Sequence, residues 1–206
     1  MCRRLASAGI EPIVGYRDNV GAALRIAKAL GGRAIQVDLS CDQGAAQAID
    51  LLEKGLFNIS GLVLCASPPP KIGPFTNIAF EDMVTQWQVN VAGPQRLLAG
   101  VIRRFFRPQK SGTVVFVLTS AMGNETVPAK PNMGAYVIAK YGLLGLKKAL
   151  EAEFPWLDCH EIMPGFMETN MLTAFDSRYL ELERSRDPRG RFSTADEVAA
   201  EVMKYF

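Results

Sequence analysis

The residues best placed to carry chemistry are a tyrosine and a lysine four positions apart, Tyr136 and Lys140, in the segment Gly134-Ala-Tyr-Val-Ile-Ala-Lys140. On an α-helix such residues lie on one face a turn apart, so the Tyr136 hydroxyl and the Lys140 ammonium could reach the same reactant. A phenol has a pKa of about 10, and a neighbouring cation lowers that pKa by favouring the phenolate. Tyr136 is therefore a candidate general acid/base, although such a pair also occurs on ordinary amphipathic helices.

The surrounding sequence alternates between short apolar runs and longer helical patterns. Strands are predicted at residues 11–16, 34–38, 59–66, 113–119 and 158–163, and helices at residues 24–30, 45–56, 80–106, 135–154 and 194–205. This alternation predicts one α/β domain over residues 1–206, a doubly wound parallel sheet (Rossmann-like) in a three-layer α/β/α arrangement. In such sheets ligands bind beyond the carboxyl ends of the strands. Residues that fall at predicted strand ends should therefore share one edge: Arg17, Asp38, Ala66, Ser120 and Pro164.

Two further motifs follow predicted strands, Ser120-Ala-Met-Gly123 and Pro164-Gly165-Phe-Met-Glu-Thr169. Together with the Tyr136 and Lys140 pair, and in this order, they resemble the short-chain dehydrogenase/reductase family. The resemblance covers nearly the whole chain. It implies an oxidoreductase that exchanges hydride between a nicotinamide cofactor and a carbonyl or secondary alcohol, and it is general enough to include 3-oxoacyl-carrier-protein reductases.

The resemblance also implies catalytic roles. Tyr136 would be the acid/base, and Ser120 would donate a hydrogen bond to the carbonyl oxygen, with Thr119 as a rival donor. Lys140 would bind the nicotinamide ribose and lower the pKa of Tyr136. Asn90 would hold a water in a proton relay to the lysine. The spacing from Ser120 to Tyr136 is a few residues longer than in the family, with residues 124–130 as the inserted segment.

Cofactor contacts are implied at further positions. Pro164-Gly165 would let the backbone pass close to the nicotinamide, and Thr169 would contact its carboxamide. Asp38 and Leu39 match the pair beside the adenine, and Ala66 and Ser67 occupy the turn after the middle strand. Arg17 lies at the position whose side chain binds the adenosine ribose in the family. A guanidinium there can pair with the 2′-phosphate of NADP. NADP is therefore expected over NAD, although the neighbouring Asp18 could have the opposite effect.

The chain departs from the family pattern in two places. No glycine-rich phosphate-binding turn occurs, and Gly31-Gly32 follows a helix and is typical of a C-cap. The family's Asn-Asn-Ala-Gly is replaced by Leu64-Cys-Ala-Ser67 and three prolines. We expect an enzyme truncated at both ends, without the first strand and the last one, which leaves open whether these residues alone are active. A real short protein that has lost dinucleotide binding is the alternative.

Composition favours no nucleic-acid or metal partner. The formal net charge is +2, and the four cysteines and the single histidine lack metal-site spacing. No apolar run is long enough for a membrane span, so the cytoplasm is the default location.

Residues 170–191 are expected to form a mobile lid over the substrate, and the resemblance implies a homodimer or homotetramer. Two alternatives stay open, a non-catalytic interaction module of the same fold and a flavodoxin-like binding domain.

Overall fold

The computed structural model describes all 206 residues, as alternating strands and helices. The strands are β1 (Ile13–Tyr16), β2 (Arg33–Gln36), β3 (Gly61–Leu64), β4 (Thr113–Val117) and β5 (Asp158–Ile162). The helices are α1 (Cys2–Ser7), α2 (Val20–Ala29), α3 (Asp42–Lys54), α4 (Phe80–Trp87), α5 (Gly93–Val101), α6 (Arg107–Gln109), α7 (Gly134–Glu153), α8 (Ser177–Arg186) and α9 (Ala195–Val202). None of these helices is both long enough and apolar enough to cross a membrane.

All strand pairs are parallel, and they form two sheets. β1 pairs with β2, with Ile13 opposite Arg33, and β3, β4 and β5 pair in that order. β1 and β3 form no ladder with each other, so each has an unpaired edge. No strand of the chain joins β1 to β3, so the parallel sheet is divided at this point. The strand and helix order, the parallel pairing and the Rossmann-like architecture are confirmed.

Strand β4 is covered on both faces, which gives the three layers. Val114 and Phe116 point into a core of 18 buried residues shared with α3, α5 and α7. Val115 and Val117 alternate with them and pack in a second cluster with Ile162 and residues of α9. Partly buried Ile13, Ile35 and Val37, from β1, β2 and the residue after β2, also pack against the first core. Both sheets therefore rest on the same helical layer.

The long helical region from α4 to α6 is continuous but contains two wider π-type turns, at Gln88–Ala92 and Ile102–Phe106. The first turn directly precedes Gly93-Pro94, where a bend was predicted. Proline has no N–H to donate, and a wider turn accommodates that loss without ending the helix. Gly93 packs against the backbone of Leu39, where a Cβ atom would collide with the Leu39 carbonyl oxygen.

Residues 170–191 contain more regular structure than the sequence indicated. A 3₁₀ turn covers Asn170–Ala174, and α8 follows, capped by the Asp176 carboxylate, which accepts from the N–H groups of Arg178 and Tyr179. The charged sequence of α8 has no apolar stripe, so helical periodicity could not identify it. The predicted cap of the last helix is confirmed, since Thr194 and Glu197 form a reciprocal capping box.

Candidate functional site

A cavity of about 100 Å³ lies beyond the carboxyl ends of β3, β4 and β5. Its walls come from the residues that follow these strands, from the start of α7 and from residues 166–175. Seven of the residues predicted from the sequence line it: Ser67, Ser120, Tyr136, Lys140, Pro164, Gly165 and Thr169. The parallel arrangement therefore brings together side chains that are far apart in the sequence, as expected at this edge.

Tyr136 and Lys140 lie in the first two turns of α7. Tyr136 packs with Ala121, Met133 and Val137 and is 8% exposed, whereas Lys140 is 2% exposed. The Lys140 Nζ atom lies 5.7 Å from the centroid of the Tyr136 ring. The helical spacing thus places both side chains against one cavity, where both residues are buried.

The Lys140 ammonium donates a hydrogen bond to the backbone carbonyl oxygen of Val117, at 2.9 Å. Burial lowers the pKa of Lys140 from 10.5 to about 8, because the charged form is poorly solvated there. At neutral pH the side chain is still mostly protonated. An ammonium has three N–H donors, and the bond to Val117 leaves two of them for a ligand.

The expected lowering of the Tyr136 pKa by Lys140 is wrong for this structure. Burial raises the pKa of Tyr136, and interaction with the Thr119 hydroxyl opposes that shift. The Lys140 ammonium is directed at the Val117 carbonyl oxygen. A buried phenol with a raised pKa stays protonated at neutral pH, so Tyr136 can serve as a proton donor.

The two hydroxyls after β4 have different surroundings. Thr119 is buried, and its Oγ1 accepts from the N–H of Ala121 at 3.2 Å. Ser120 is exposed to the cavity, and its side chain makes no hydrogen bond within the protein. The backbone N–H of Ser120 donates to Pro164 at 2.9 Å, which ties it to the Pro164-Gly165 turn. Both residues line the cavity, and Ser120 is the one whose hydroxyl has no hydrogen-bond partner within the protein.

Asn90 does not line the cavity. It is fully buried in the first π-type turn, and its Nδ2 donates to the backbone oxygen and Oε1 of Gln86, both at 3.0 Å. Its Oδ1 is buried without any hydrogen-bond partner. A buried unpaired acceptor is costly, so a donor such as a bound water is expected there. That environment is compatible with the predicted relay role.

Gln86 is a residue that the sequence reasoning missed. It is buried, and its Nε2 donates to the carbonyl oxygen of Pro69 at 3.0 Å and to that of Pro68 at 3.4 Å. Gln86 thus connects Asn90 to the proline-rich turn beside Ser67. Its position four residues before Asn90 places both on one face of the helix, and that spacing was the available signal.

Besides Asn90, four predicted cofactor residues lie outside the cavity wall. Arg17 pairs with its neighbour Asp18 at 2.6 Å, and both are exposed. Asp38 accepts from the N–H and hydroxyl of Ser40, and these bonds lower the pKa of its carboxyl, with a smaller contribution from Arg17. Of the other two, Leu39 is a core residue and Ala66 is exposed beside the cavity-lining Ser67.

The cavity has the features that the nicotinamide half of a dinucleotide requires. Ser120 offers a free hydroxyl and Lys140 two free donors, and Gly165 presents backbone without a side chain. A Cβ added at Gly165 would lie 3.6 Å from the Ser120 Oγ, so a side chain there would narrow the cavity beside that hydroxyl. The residues that line the cavity therefore fit a nicotinamide group. At the ends of β1 and β2, Arg17 and Asp38 lie close enough to each other to interact.

Comparison with known proteins shows that this chain is similar to oxidoreductases. A family model described as enoyl-(acyl carrier protein) reductase matches residues 1–204. An uncharacterized oxidoreductase of Bacillus subtilis strain 168, YmfI, is 27% identical over 95% of this chain and 80% of its own length. The 3-oxoacyl-[acyl-carrier-protein] reductase FabG of Thermotoga maritima is 29% identical over 60% of this chain and 49% of its own. Among solved structures, gluconate 5-dehydrogenase from Burkholderia cenocepacia, in complex with NADP and tartrate, has a TM-score of 0.87 and 21% identity, covering 99% of this chain and 81% of its own.

Proposed function

We propose that this chain, which belongs to the short-chain dehydrogenase/reductase family of oxidoreductases, reduces a carbonyl compound or oxidises a secondary alcohol with NADP as its preferred cofactor. The observation that carries the proposal is the meeting of three groups at one cavity. The Tyr136 phenol, the free Ser120 hydroxyl and the Lys140 ammonium all line it, and they come from two different segments of the chain.

NADPH, when bound, supplies the hydride that adds to the carbonyl carbon. Ser120 donates a hydrogen bond to the carbonyl oxygen and stabilises the negative charge that develops there. Tyr136, kept protonated by its raised pKa, gives its proton to the same oxygen. Lys140 would bind the nicotinamide ribose through the two donors that its bond to Val117 leaves free. Asn90 holds a water through its unpaired Oδ1, from which the proton is replaced.

Binding of the rest of the cofactor is assigned to the neighbouring strand ends. Pro164, Gly165 and Thr169 border the nicotinamide, and Ala66 and Ser67 form the turn beside it. Asp38 and Leu39 flank the adenine. Arg17 binds the 2′-phosphate of NADP in preference to a free ribose hydroxyl, after exchanging its present partner Asp18.

The substrate is assigned to the end of the cavity covered by residues 170–191, the proposed lid. Met171, Leu172 and Phe175 line the cavity and present an apolar surface. An acyl chain with a 3-oxo group would suit that surface, and the similarity to the Thermotoga maritima reductase supports this class of substrate.

We also infer a homodimer or homotetramer that forms through α4, α5 and α7. Trp87, Ile138 and Tyr141 lie on these helices and are 46%, 38% and 48% exposed, although all three are large and apolar or aromatic. Burying such a patch against a second copy would remove it from water. The cytoplasm, where NADPH is available, is the proposed location.

Titration with NADPH and with NADH, followed by the fluorescence of Trp87 and Trp156 and by oxidation of the cofactor with simple ketones, tests this function. We expect saturable binding, tighter for NADPH, and ketone-dependent oxidation. Binding of neither dinucleotide would favour a non-catalytic module of the same fold. The unpaired edges of β1 and β3 give that alternative its support, because the strand ends that meet the cofactor are not joined in one sheet.

A further inference from the structure

The cavity has an unusual charge balance. Its only ionisable side chains that are charged at neutral pH are two lysines, Lys140 and Lys130, and no carboxylate lines it. Lys140 is buried at the nicotinamide side and bonds to Val117. Lys130 lies with Met133 and Phe175, which form the substrate side of the wall. A cavity lined by two cations and no anion favours a ligand that carries negative charge.

Lys130 is held in place by its own backbone and by the segment before it. Its N–H donates to the carbonyl oxygen of Ala121 at 2.9 Å, in the same turn as Ser120. The Asn124 carboxamide oxygen accepts from the N–H groups of Thr126 and Val127, which orders the loop. This loop is the segment 124–130 that makes the Ser120 to Tyr136 spacing long. It therefore delivers a lysine to the cavity next to the hydroxyl that faces the substrate.

The Lys130 ammonium is held by one ion pair and keeps hydrogen-bond donors free. It donates to the carboxylate of Glu183 on α8 at 2.5 Å, and the other oxygen of Glu183 accepts from Arg186 at 2.8 Å. The three side chains carry a net charge of +1, because one carboxylate serves two cations. The Lys130 side chain is 29% exposed and Glu183 only 5%, so the cation and not the carboxylate meets the cavity. Two of its three N–H donors have no partner in the protein.

We propose that Lys130 is a specificity-determining residue, which binds an anionic group of the substrate, such as a carboxylate, on the side of the reacting carbonyl away from the cofactor. Glu183 fixes the lysine and does not compete for its free donors. The assignment rests on the proposed carbonyl chemistry for its functional meaning, but binding of the anion does not require turnover.

The test compares three keto acids with their uncharged methyl esters: 4-oxopentanoate, 5-oxohexanoate and 7-oxooctanoate. The readouts are the dissociation constant from calorimetry with the full chain and, where turnover occurs, kcat/KM with NADPH. The wild-type protein should prefer the acid of at least one pair by about 10- to 100-fold, the range of a charge-assisted hydrogen bond. Lys130→Met should abolish that preference by weakening the acid while leaving the ester within about 2-fold, and Lys130→Arg should retain most of it.

Two further variants distinguish binding of the substrate anion by Lys130 from a general effect of substitutions on the proposed lid. Glu183→Gln removes the anchor of Lys130 and one negative charge beside it, so the preference for the acid should persist or increase. Lys148→Met removes an exposed lysine outside the cavity and should change neither. No preference in the wild type at any chain length, or a preference that survives Lys130→Met, overturns the assignment. Binding of the acids that depends on Lys130 without any turnover would support it and would count against the proposed reaction alone.

Discussion

In the three-stranded sheet, Val114, Val115 and Phe116 are completely buried, whereas no residue of β1 or β2 in the two-stranded sheet is buried. The difference extends to the candidate site residues. Tyr136 and Lys140 are held by contacts between distant segments, such as the bond from Lys140 to Val117. Arg17 and Asp38 are held by partners one or two residues away, Asp18 and Ser40. The proposed catalytic geometry on one sheet is therefore fixed by packing, and the proposed adenosine contacts on the other are fixed by local bonds that a ligand can replace.

The largest expected effect is on chemistry at the three-stranded sheet. Tyr136→Phe removes the proton donor and should lower kcat by about 10²- to 10⁴-fold, the range for loss of a general acid. Tyr16→Phe, the same change at the end of β1, should leave kcat within about 2-fold, since no proton transfer is assigned there. Steady-state kinetics with NADPH and a ketone measure both. An equal loss of kcat in Tyr136→Phe and Tyr16→Phe would contradict the assignment of catalysis to the three-stranded sheet.

The buried lysine gives a pH dependence that an exposed lysine lacks. The pKa of Lys140 is about 8 in the folded chain and 10.5 as its unperturbed value, so between these values the unfolded chain binds more protons. Stability from this group should therefore rise with pH across that window, by up to about 3 kcal/mol. Urea unfolding between pH 8 and 10 should show this rise in the wild type and lose it in Lys140→Met. Lys28→Met, at an exposed position of α2, should keep it.

A matched core substitution tests the difference in packing. Val115→Ala removes two methyl groups from a fully buried site in β4 and should lower the free energy of unfolding by about 2 kcal/mol. Val14→Ala makes the same change at a partly exposed site in β1 and should cost less than about 1 kcal/mol. The two changes in the free energy of unfolding are measured from the denaturant midpoints, provided that the dependence on denaturant concentration is unchanged. A larger loss at Val14 would show that the two-stranded sheet contributes more to the core than its exposure indicates.

The smallest expected effect concerns cofactor choice at the two-stranded sheet. Arg17→Ala should weaken NADPH binding by about 10-fold and leave NADH within about 2-fold, because only the 2′-phosphate needs the guanidinium. Asp18→Asn removes the present partner of Arg17 and should strengthen NADPH binding by about 2- to 5-fold. Arg25→Ala, an exposed position of α2, serves as the control. Equal weakening of both cofactors by Arg17→Ala would contradict the assignment of a 2′-phosphate site.

Periodicity and turn residues were sufficient to predict the strand and helix order, the parallel pairing and the edge where Ser120, Tyr136 and Pro164 meet. These depend on local patterns and on the rule that parallel strands end at one edge. The pairing of the strands, with its division into two sheets, comes from the structure, since pairing is a relation between distant strands. Helix α8 was missed because its charged sequence carries no apolar stripe. Gln86 and Lys130 were missed because their significance comes from partners far along the chain.

The sequence by itself determined the family resemblance and the helical pairing of Tyr136 with Lys140, because spacing along a helix follows from the chain alone. Only the tertiary structure decided the ionisation of those groups. Burial raises the pKa of the phenol and lowers that of the ammonium, and burial depends on what the rest of the chain places around them. The same holds for the two hydroxyls after β4, which the sequence leaves equivalent. Both line the cavity, but the fold buries Thr119 beside Tyr136 and leaves Ser120 exposed.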